Sequence, residues 1–360
     1  MLDPRDTAMD ANKLQQIQAH ARAIAALLYD ETARLAIDNA RRHRSSAQRA
    51  YPGACQPRNW SFFIATASGT SSGRSRQLKS ILGEISITEN QAQVLQVKAR
   101  TQLSPYLEKC CLLVSNNASY ERSAQDVVVL TGIAVSRGTQ QRLVHRQTFA
   151  LPVVEESVEE MSIDGGKVRL RTLKGESCRW QDYKAVNLHG HCCEAFLQQN
   201  PTLVEWVNNQ PLDTPVVCLG DGHDGIWNLF EAIATPSQRR EILDWFHLVE
   251  NLHKVGGSQQ RLATVEASLW KGKVDAAIEQ FKGWQHERVD NFLAYLNKHR
   301  HRIVNYSYFQ SEGISIGSGT IESTVKQIGA RIKLTGAQWK SDNVPQVLLH
   351  RCAYLNGQFL

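Results

Sequence analysis

Short apolar segments with strand spacing alternate with helical segments between residues 160 and 246, and this order restricts the chain to few folds. Two strands are predicted on either side of Gly165-Gly166, a dipeptide typical of hairpin turns. A third strand, a helix, a buried strand, a second helix and a short fifth strand should follow. The predicted ranges are, in that order, 160–163, 167–172, 183–189, 194–208, 215–219, 226–233 and 242–246.

This order, β-β-β-α-β-α-β-α, predicts an α/β fold with a mixed sheet flanked by helices. Antiparallel strands come first and parallel crossovers later, as in the ribonuclease H-like architecture. A helical insertion is expected at about residues 248–312, and a last helix carries Glu322 after the segment GISIGSGT. We therefore predict a ribonuclease H-like domain over residues 151–360.

Acidic residues stand at the ends of predicted strands. Asp164 ends the first strand and Asp221 follows the fourth, so adjacent strands would bring both carboxylates to one edge of the sheet. Like charges are costly to hold together unless cations neutralise them, and carboxylate oxygens suit Mg²⁺ or Mn²⁺. Glu322 would supply a third carboxylate. Asp224 is a second candidate, but the position directly after the strand favours Asp221.

Each of these residues also has an ordinary interpretation, because Asp before Gly is a common turn former and a helical Glu is usually solvated. Taken together, the carboxylates predict a site for two metal ions about 3.5 to 4 Å apart. Such ions activate water or a 3′-hydroxyl and stabilise the leaving oxygen, which is the chemistry of phosphodiester cleavage and strand transfer.

A helix-turn-helix is predicted within residues 101–150. A helix around residues 127–130 should end at Thr131-Gly132, and Ser136 should cap a second helix beginning at Arg137. That second helix would lie in the major groove of double-stranded DNA, although the same pattern also occurs in plain helical bundles. The side chains predicted to be exposed for DNA contact are Arg137, Thr139, Gln140, Gln141 and Arg142.

The first 150 residues carry an excess of positive charge, with 19 Lys and Arg against 11 Asp and Glu, while the remainder has 22 against 24. This distribution favours a polyanionic partner for the N-terminal part. Residues 1–50 are predicted as a helical region, in which a helix over 12–43 ends in a basic cluster. Residues 51–100 are predicted as a basic linker with short elements, because 66–79 lack apolar periodicity. The basic cluster consists of Arg41, Arg42, His43 and Arg44.

The chain has no apolar run of about 18 residues, so no membrane partner is expected. Its eight Cys residues lack the spacing of a disulfide framework. These features favour a cytoplasmic, nucleoid-associated location.

Four segments resemble the catalytic core of one enzyme family, the ISKra-type bacterial insertion-sequence transposases, which are related to Mutator-like enzymes. The resemblance covers about residues 100–360. The similar segments are SIDGGKVRLRT, VVCLGDGHDGIWNLF, ILDWFHLVENL and IGSGTIESTVKQIGARIKLTGAQW. In that family the corresponding acids form a DDE triad, which implies Asp164, Asp221 and Glu322 as catalytic residues and metal ligands here.

The resemblance implies a DNA transposase that cleaves insertion-sequence ends and joins them to target DNA. The family's D-x-x-H motif is matched by Asp244 and His247, which implies an auxiliary role in positioning DNA or supporting a metal ligand. A structural His247 bonded to Asp244 is the alternative. A homodimer or larger assembly is expected because two DNA ends must meet. A nuclease of the same fold that never joins, and a non-catalytic helix-turn-helix regulator, remain open.

Overall fold

The computed structural model describes residues 64–65, 68–81 and 83–359. The helix predicted over residues 12–43, with its basic cluster, lies outside them. The chain divides into two compact units between Leu107 and Glu108. Residues 108–150, which the sequence assigns to a helix-turn-helix region, belong to the same unit as residues 151–360.

The first unit contains an antiparallel hairpin, within the range that was predicted as a basic linker with short elements. Strand β1 (Ser75–Ser80) pairs with β2 (Gly83–Thr88), and Thr88 caps the short helix α1 (Glu89–Val94). The linker prediction is wrong for the β1 residues because Leu78 is the one apolar side chain of that strand. It is buried in a small core with Ile87 of β2, a partner that only the folded hairpin brings to it.

Helices α2 (Pro105–Ser115), α3 (Tyr120–Thr131) and α4 (Arg137–Arg146) follow. Both predicted end points are confirmed. Gly132 ends α3 in the left-handed conformation with φ of 73°, which favours glycine, and its N–H donates to the carbonyl of Val128. The Ser136 side chain accepts a hydrogen bond from the N–H of Thr139 at the start of α4.

The centre of the second unit is a five-stranded mixed sheet in the order β5-β4-β3-β6-β7. The antiparallel pairs are β3–β4 and β4–β5, and the parallel pairs are β3–β6 and β6–β7. The predicted mixed α/β sheet is confirmed. Its strands are β3 (Val158–Leu170), β4 (Arg179–Leu188), β5 (Cys192–Leu197), β6 (Leu212–Gly220) and β7 (Arg239–Leu243).

The hairpin predicted at Gly165-Gly166 is wrong, because β3 runs without interruption through both glycines and pairs with β4 along that length. Gly166 serves close packing instead of a turn. A Cβ at this position would lie 2.2 Å from the ring of Tyr183, so the ring crosses the strand where no side chain stands. Asp164 consequently lies within a strand and not at its end.

The helix predicted over 194–208 is also wrong in its first part, which forms β5. The helix α5 (Asn200–Asn208) begins later. Residues of β5 alternate between the two faces of the sheet: Phe196 packs in one core, and Ala195 and Leu197 pack in the other. Because both faces are buried, this strand is apolar except for Glu194 and lacks the alternation that would distinguish it from a buried helix.

Helices cover both faces of the sheet. One core includes Ile163 of β3 and residues of α6 (Asp224–Ala232), and the opposite core includes Val168 of β3 and residues of α12 (Gly319–Ile332) and α13 (Val344–Leu355). Since side chains alternate along a strand, Asp164 faces the same side as Val168. That side is the one covered by α12, the helix that carries Glu322.

A helical segment between β7 and α12 confirms the helices predicted over residues 248–302. The strand predicted over 242–246 is correct only as far as Leu243, where β7 ends. Asp244 then caps the first helix of the segment, which begins at Trp245. We call this segment the helical insertion. It contains α7 (Trp245–Val255), α8 (Gln259–Trp270), α9 (Val274–Glu279), α10 (Glu287–Lys298) and α11 (Tyr306–Ser311).

Candidate active site

Three acidic residues lie beside one another where neighbouring strands of the sheet meet. Asp221 directly follows β6 and Asp244 directly follows β7, and the N–H of Asp244 donates to the carbonyl of Gly220 at 2.8 Å. The parallel register pairs Ser162 of β3 with Leu219 of β6. Two residues further along, this register sets Asp164 level with Asp221. The pairing of β3 with β6 ends at Ser162, but β3 continues to Leu170. Asp164 therefore lies just beyond the paired part, on the edge of β3 that β6 no longer covers.

The pKa of Asp164 is raised in this environment. Burial raises the pKa of Asp164 above its ordinary value, the N–H of Gly165 acts against this, and the negative charge of Asp221 raises it further. The positive charges of Lys184 and His247 act to lower it. Two like charges are therefore held close together in a half-buried place.

Asp224 has a different environment from Asp221. It lies in the first turn of α6, it is exposed, and its carboxylate forms an ion pair with Lys298. Asp221 is half-buried and accepts a hydrogen bond from the N–H of His223 at 3.0 Å through Oδ1. Asp224 is thus neutralised by a surface lysine, whereas Asp221 faces Asp164.

Asp244, His247 and Glu322 form a second, more compact group. Their ligand atoms all lie within 4.8 Å of one another. Asp244 is fully buried: its Oδ1 accepts from the N–H of His247 at 2.7 Å and lies 3.2 Å from Nδ1 of that residue. Glu322 Oε1 is 4.0 Å from the same Nδ1. The carboxylate of Asp244 raises the pKa of His247 to about 9, so the imidazole is protonated at neutral pH.

Asp244 also determines where Glu322 lies. Its Oδ2 accepts a hydrogen bond from the N–H of Ser318, the residue before α12, and the N–H of Trp245 donates to the carbonyl of Ile316 at 2.9 Å. The N–H of Glu322 in turn donates to the carbonyl of Ser318 at 3.1 Å. Both oxygens of Asp244 are therefore engaged in holding α7 and the start of α12 together.

A second carboxylate, Glu160 of β3, holds the same loop from the other side. It accepts from both the N–H and the hydroxyl of Ser315, at 2.9 and 2.5 Å, and lies 3.2 Å from Nδ1 of His189. The other ring nitrogen of His189 is 2.8 Å from the hydroxyl of Ser162, which is fully buried. Ser162, His189 and Glu160 resemble a nucleophilic triad in residue type, but a buried serine hydroxyl has no access to substrate, so this cluster is a structural anchor.

Replacing Glu160 with Gln is expected to lower the free energy of unfolding by about 2 kcal/mol at pH 7. Burial acts to raise the pKa of Glu160, but the hydrogen bonds from His189 and Ser315 outweigh it and hold the pKa at about 2. Because this folded-state pKa lies below the ordinary value of 4.5, the stabilisation is complete above about pH 5 and is lost as the pH falls toward 2.

Urea denaturation between pH 7 and pH 3 measures this effect as the difference between wild type and variant. Glu159→Gln is the matched control, since the adjacent Glu159 is exposed. A wild-type advantage over Glu160→Gln that stays constant down to pH 3 would contradict the assignment.

The fold brings Lys184 and Tyr295 beside the acidic residues, and neither was among the predicted site residues. Lys184 Nζ lies 3.2 Å from the point where a Cβ of residue 165 would stand and 4.0 Å from the corresponding point at residue 225. Tyr295, on α10, packs against Gly222 next to Asp221. The one available signal was the lysine within the mainly apolar segment YKAVNL.

Gly222→Ala is expected to lower the free energy of unfolding by about 2 kcal/mol, for two separate reasons. Gly222 has φ of +83°, and an added Cβ would lie 2.7 Å from the Tyr295 hydroxyl. Gly190→Ala isolates the backbone part, because Gly190 has φ of +77° and nothing within 4 Å. Equal costs for the two variants in urea denaturation would show that the contact with Tyr295 does not restrict the turn.

The predicted DNA-contacting side chains of α4 do not all face solvent. Arg137, Gln141 and Arg142 are exposed, and Thr139 is half-buried. Gln140 is fully buried, and its Oε1 accepts a hydrogen bond from the Ser115 hydroxyl at 2.9 Å. The prediction that Gln140 is exposed is wrong, because that side of α4 packs against α2.

Asp164 and Asp221 fit a divalent cation. Each uses one oxygen for a nearby backbone N–H, and within the described part of the chain neither forms an ion pair with Lys or Arg. A cation between them would relieve the repulsion that raises the pKa of Asp164. Asp244 does not fit, because its two oxygens already accept hydrogen bonds, so we assign it a positioning role.

No protein-family model matches the chain, and no curated protein matches it. Among the described residues, no helix is long and apolar enough to cross a membrane.

Proposed function

We propose that this protein is a DDE-type DNA transposase with a ribonuclease H-like core. The observation that carries the proposal is the convergence of Asp164 and Asp221 on adjacent parallel strands of a mixed sheet, with Glu322 on the helix that covers the same face. The strand order β5-β4-β3-β6-β7 supports the core assignment, because three antiparallel strands precede two parallel ones in the chain.

Asp164, Asp221 and Glu322 are the residues that would hold Mg²⁺ or Mn²⁺. When bound, two such ions supply the positive charge that activates the attacking oxygen and stabilises the leaving oxygen of a phosphodiester. The chain's own residues prepare this site. Asp244 and Glu160 hold the loop before α12, and so set the distance of Glu322 from the sheet. The protonated His247 lies between Asp244 and Glu322 and offsets part of the negative charge there.

DNA recognition is assigned to α3 and α4. Their turn and caps have the helix-turn-helix pattern, and Arg137, Gln141 and Arg142 are the exposed side chains of the second helix that can reach phosphates or base edges. The basic charge of the first 150 residues supports a DNA partner. A homodimer or larger assembly on DNA follows from the need to bring two element ends together.

The test is strand cleavage and joining on labelled duplexes that carry the flanking ends of the native gene, with Mg²⁺ and with EDTA. A joined product that requires Mg²⁺ and is lost in Glu322→Gln supports the transposase. Metal-dependent cleavage without joining would instead identify a nuclease of the same fold. Sequence-specific binding with no metal-dependent cleavage would identify a regulator.

A further inference from the structure

We propose that a groove in the helical insertion binds the sugar–phosphate backbone of the single DNA strand that leaves the catalytic carboxylates. This inference rests on the proposed function. The groove has a volume of about 680 Å³ and lies between α7 and α10, and we call it the α7–α10 groove. Its walls include Asn251, Lys254, Arg288, Asn291, Phe292 and Tyr295.

The α7–α10 groove lies next to the candidate active site, because its lining residue Tyr295 packs against Gly222. On α7, His247, Asn251 and Lys254 are spaced by four and then three residues, so they lie along one face of the helix. The imidazole of His247 faces Glu322 at one end of this row, and Lys254 stands about 10 Å further along the axis. On the opposite wall, Tyr295 packs against Gly222, the residue after Asp221.

The chemistry of the α7–α10 groove matches a nucleic-acid backbone. No Asp or Glu lines it, and its charged side chains are cationic. Arg288 is exposed and forms no ion pair with any described residue. Lys254 forms an exposed ion pair with Glu250 at 3.3 Å, which solvent weakens, and its Nζ donates a hydrogen bond to Oδ1 of Asn251 at 3.4 Å. These two cations suit phosphates, and the amides of Asn251 and Asn291 offer both donors and acceptors to sugars and base edges.

Charge and position together favour DNA over an acidic peptide. The groove opens beside carboxylates that would cleave a phosphodiester, and a strand cut there must extend away from them along some surface of the protein. The row from His247 to Lys254 leads away from the candidate site between two cationic walls. An acidic peptide would satisfy Lys254 and Arg288 but would have no reason to lie next to Asp221.

The groove assignment is tested by the affinity of the full chain for two duplexes. One duplex is blunt at the cleavage site, and the other has a six-nucleotide single-stranded flank. The measurement is fluorescence anisotropy in EDTA, so that it does not depend on catalysis. The double variant Lys254→Gln/Arg288→Gln should lose about tenfold in affinity for the flanked duplex, with a shallower salt dependence, and should bind the blunt duplex as wild type does. Lys282→Gln is the matched control, because Lys282 is an exposed cation of the same insertion that pairs with Glu279 and does not line the groove.

An unchanged ratio of flanked to blunt affinity in the double variant would overturn the groove assignment. So would displacement of the flank by poly-glutamate at the concentration at which unlabelled single-stranded DNA displaces it. A failure of the proposed function can be told apart from a failure of the groove assignment. If wild type binds the flank through the groove but never cleaves DNA, the groove assignment stands and the transposase proposal is wrong. If wild type cleaves DNA and the double variant binds the flanked duplex as wild type does, the transposase proposal stands and the groove assignment is wrong.

Discussion

Asp221→Asn is expected to reduce metal-dependent strand cleavage by about 10³-fold, with DNA affinity within about twofold of wild type. Asparagine keeps an oxygen that can accept the hydrogen bond from the N–H of His223, so the turn after β6 is preserved. It removes the negative charge that, together with Asp164, would hold a divalent cation. The fold and the DNA surface thus stay in place while the metal site is lost.

The matched control for this prediction is Asp224→Asn. Asp224 lies three residues further along, but it is exposed and paired with Lys298, so its variant should cleave within about twofold of wild type. A thermal melt with and without Mg²⁺ adds a readout that does not need DNA. Mg²⁺ should raise the melting temperature of wild type and of Asp224→Asn but not of Asp221→Asn. Cleavage by Asp221→Asn at the wild-type rate would contradict the catalytic assignment of this residue.

Asp244→Ala is expected to lower the free energy of unfolding by about 3 kcal/mol. The variant leaves the N–H groups of His247 and Ser318 without their carboxylate acceptor and leaves the His247 imidazole without its nearest counter-ion. Because the carboxylate is fully buried, water does not replace it cheaply. The start of α12 should loosen, and Glu322 with it.

Urea denaturation followed by tryptophan fluorescence measures this loss, since Trp245 lies next to the substituted residue. Asp275→Ala is the control, because Asp275 is exposed and its ion pair with Arg300 lies on the surface, so its removal should cost less than about 1 kcal/mol. Asp244→Asn should fall between the two, since one amide oxygen can still cap α7. A cost for Asp244→Ala no larger than that of Asp275→Ala would contradict the positioning role.

Local signals predicted well where the structure depends on neighbouring residues alone. Gly132 ends α3 and Ser136 begins α4, because a left-handed residue and a side-chain cap act within one turn of the helix. Asp221 was placed directly after its strand for a similar reason, since PVVCL is a short buried run followed by Gly and Asp. The same signals failed wherever a distant residue decided the outcome.

Gly165-Gly166 shows this failure most directly. The pair resembles a hairpin turn, but β4 supplies a partner for every residue of β3 around it and the Tyr183 ring needs the space above Gly166. Gln140 is a second case: a polar residue on a predicted DNA-binding helix is buried because Ser115 of α2 offers it a hydrogen bond. Neither partner can be identified from the segment in which the predicted residue stands.

Local sequence patterns were sufficient to predict the mixed α/β class, the caps of α3 and α4, and the position of Asp221 directly after β6. These depend on hydrophobic period, cap chemistry and turn residues, which act over a few positions of the chain. Three features depend on the complete fold: the contacts by which Asp244 and Glu160 hold the loop before Glu322, the position of Lys184 and Tyr295 beside the acidic residues, and the groove between α7 and α10. The physical reason is that these contacts join residues far apart in the chain, and their energies exist only after the sheet has brought its strands into register.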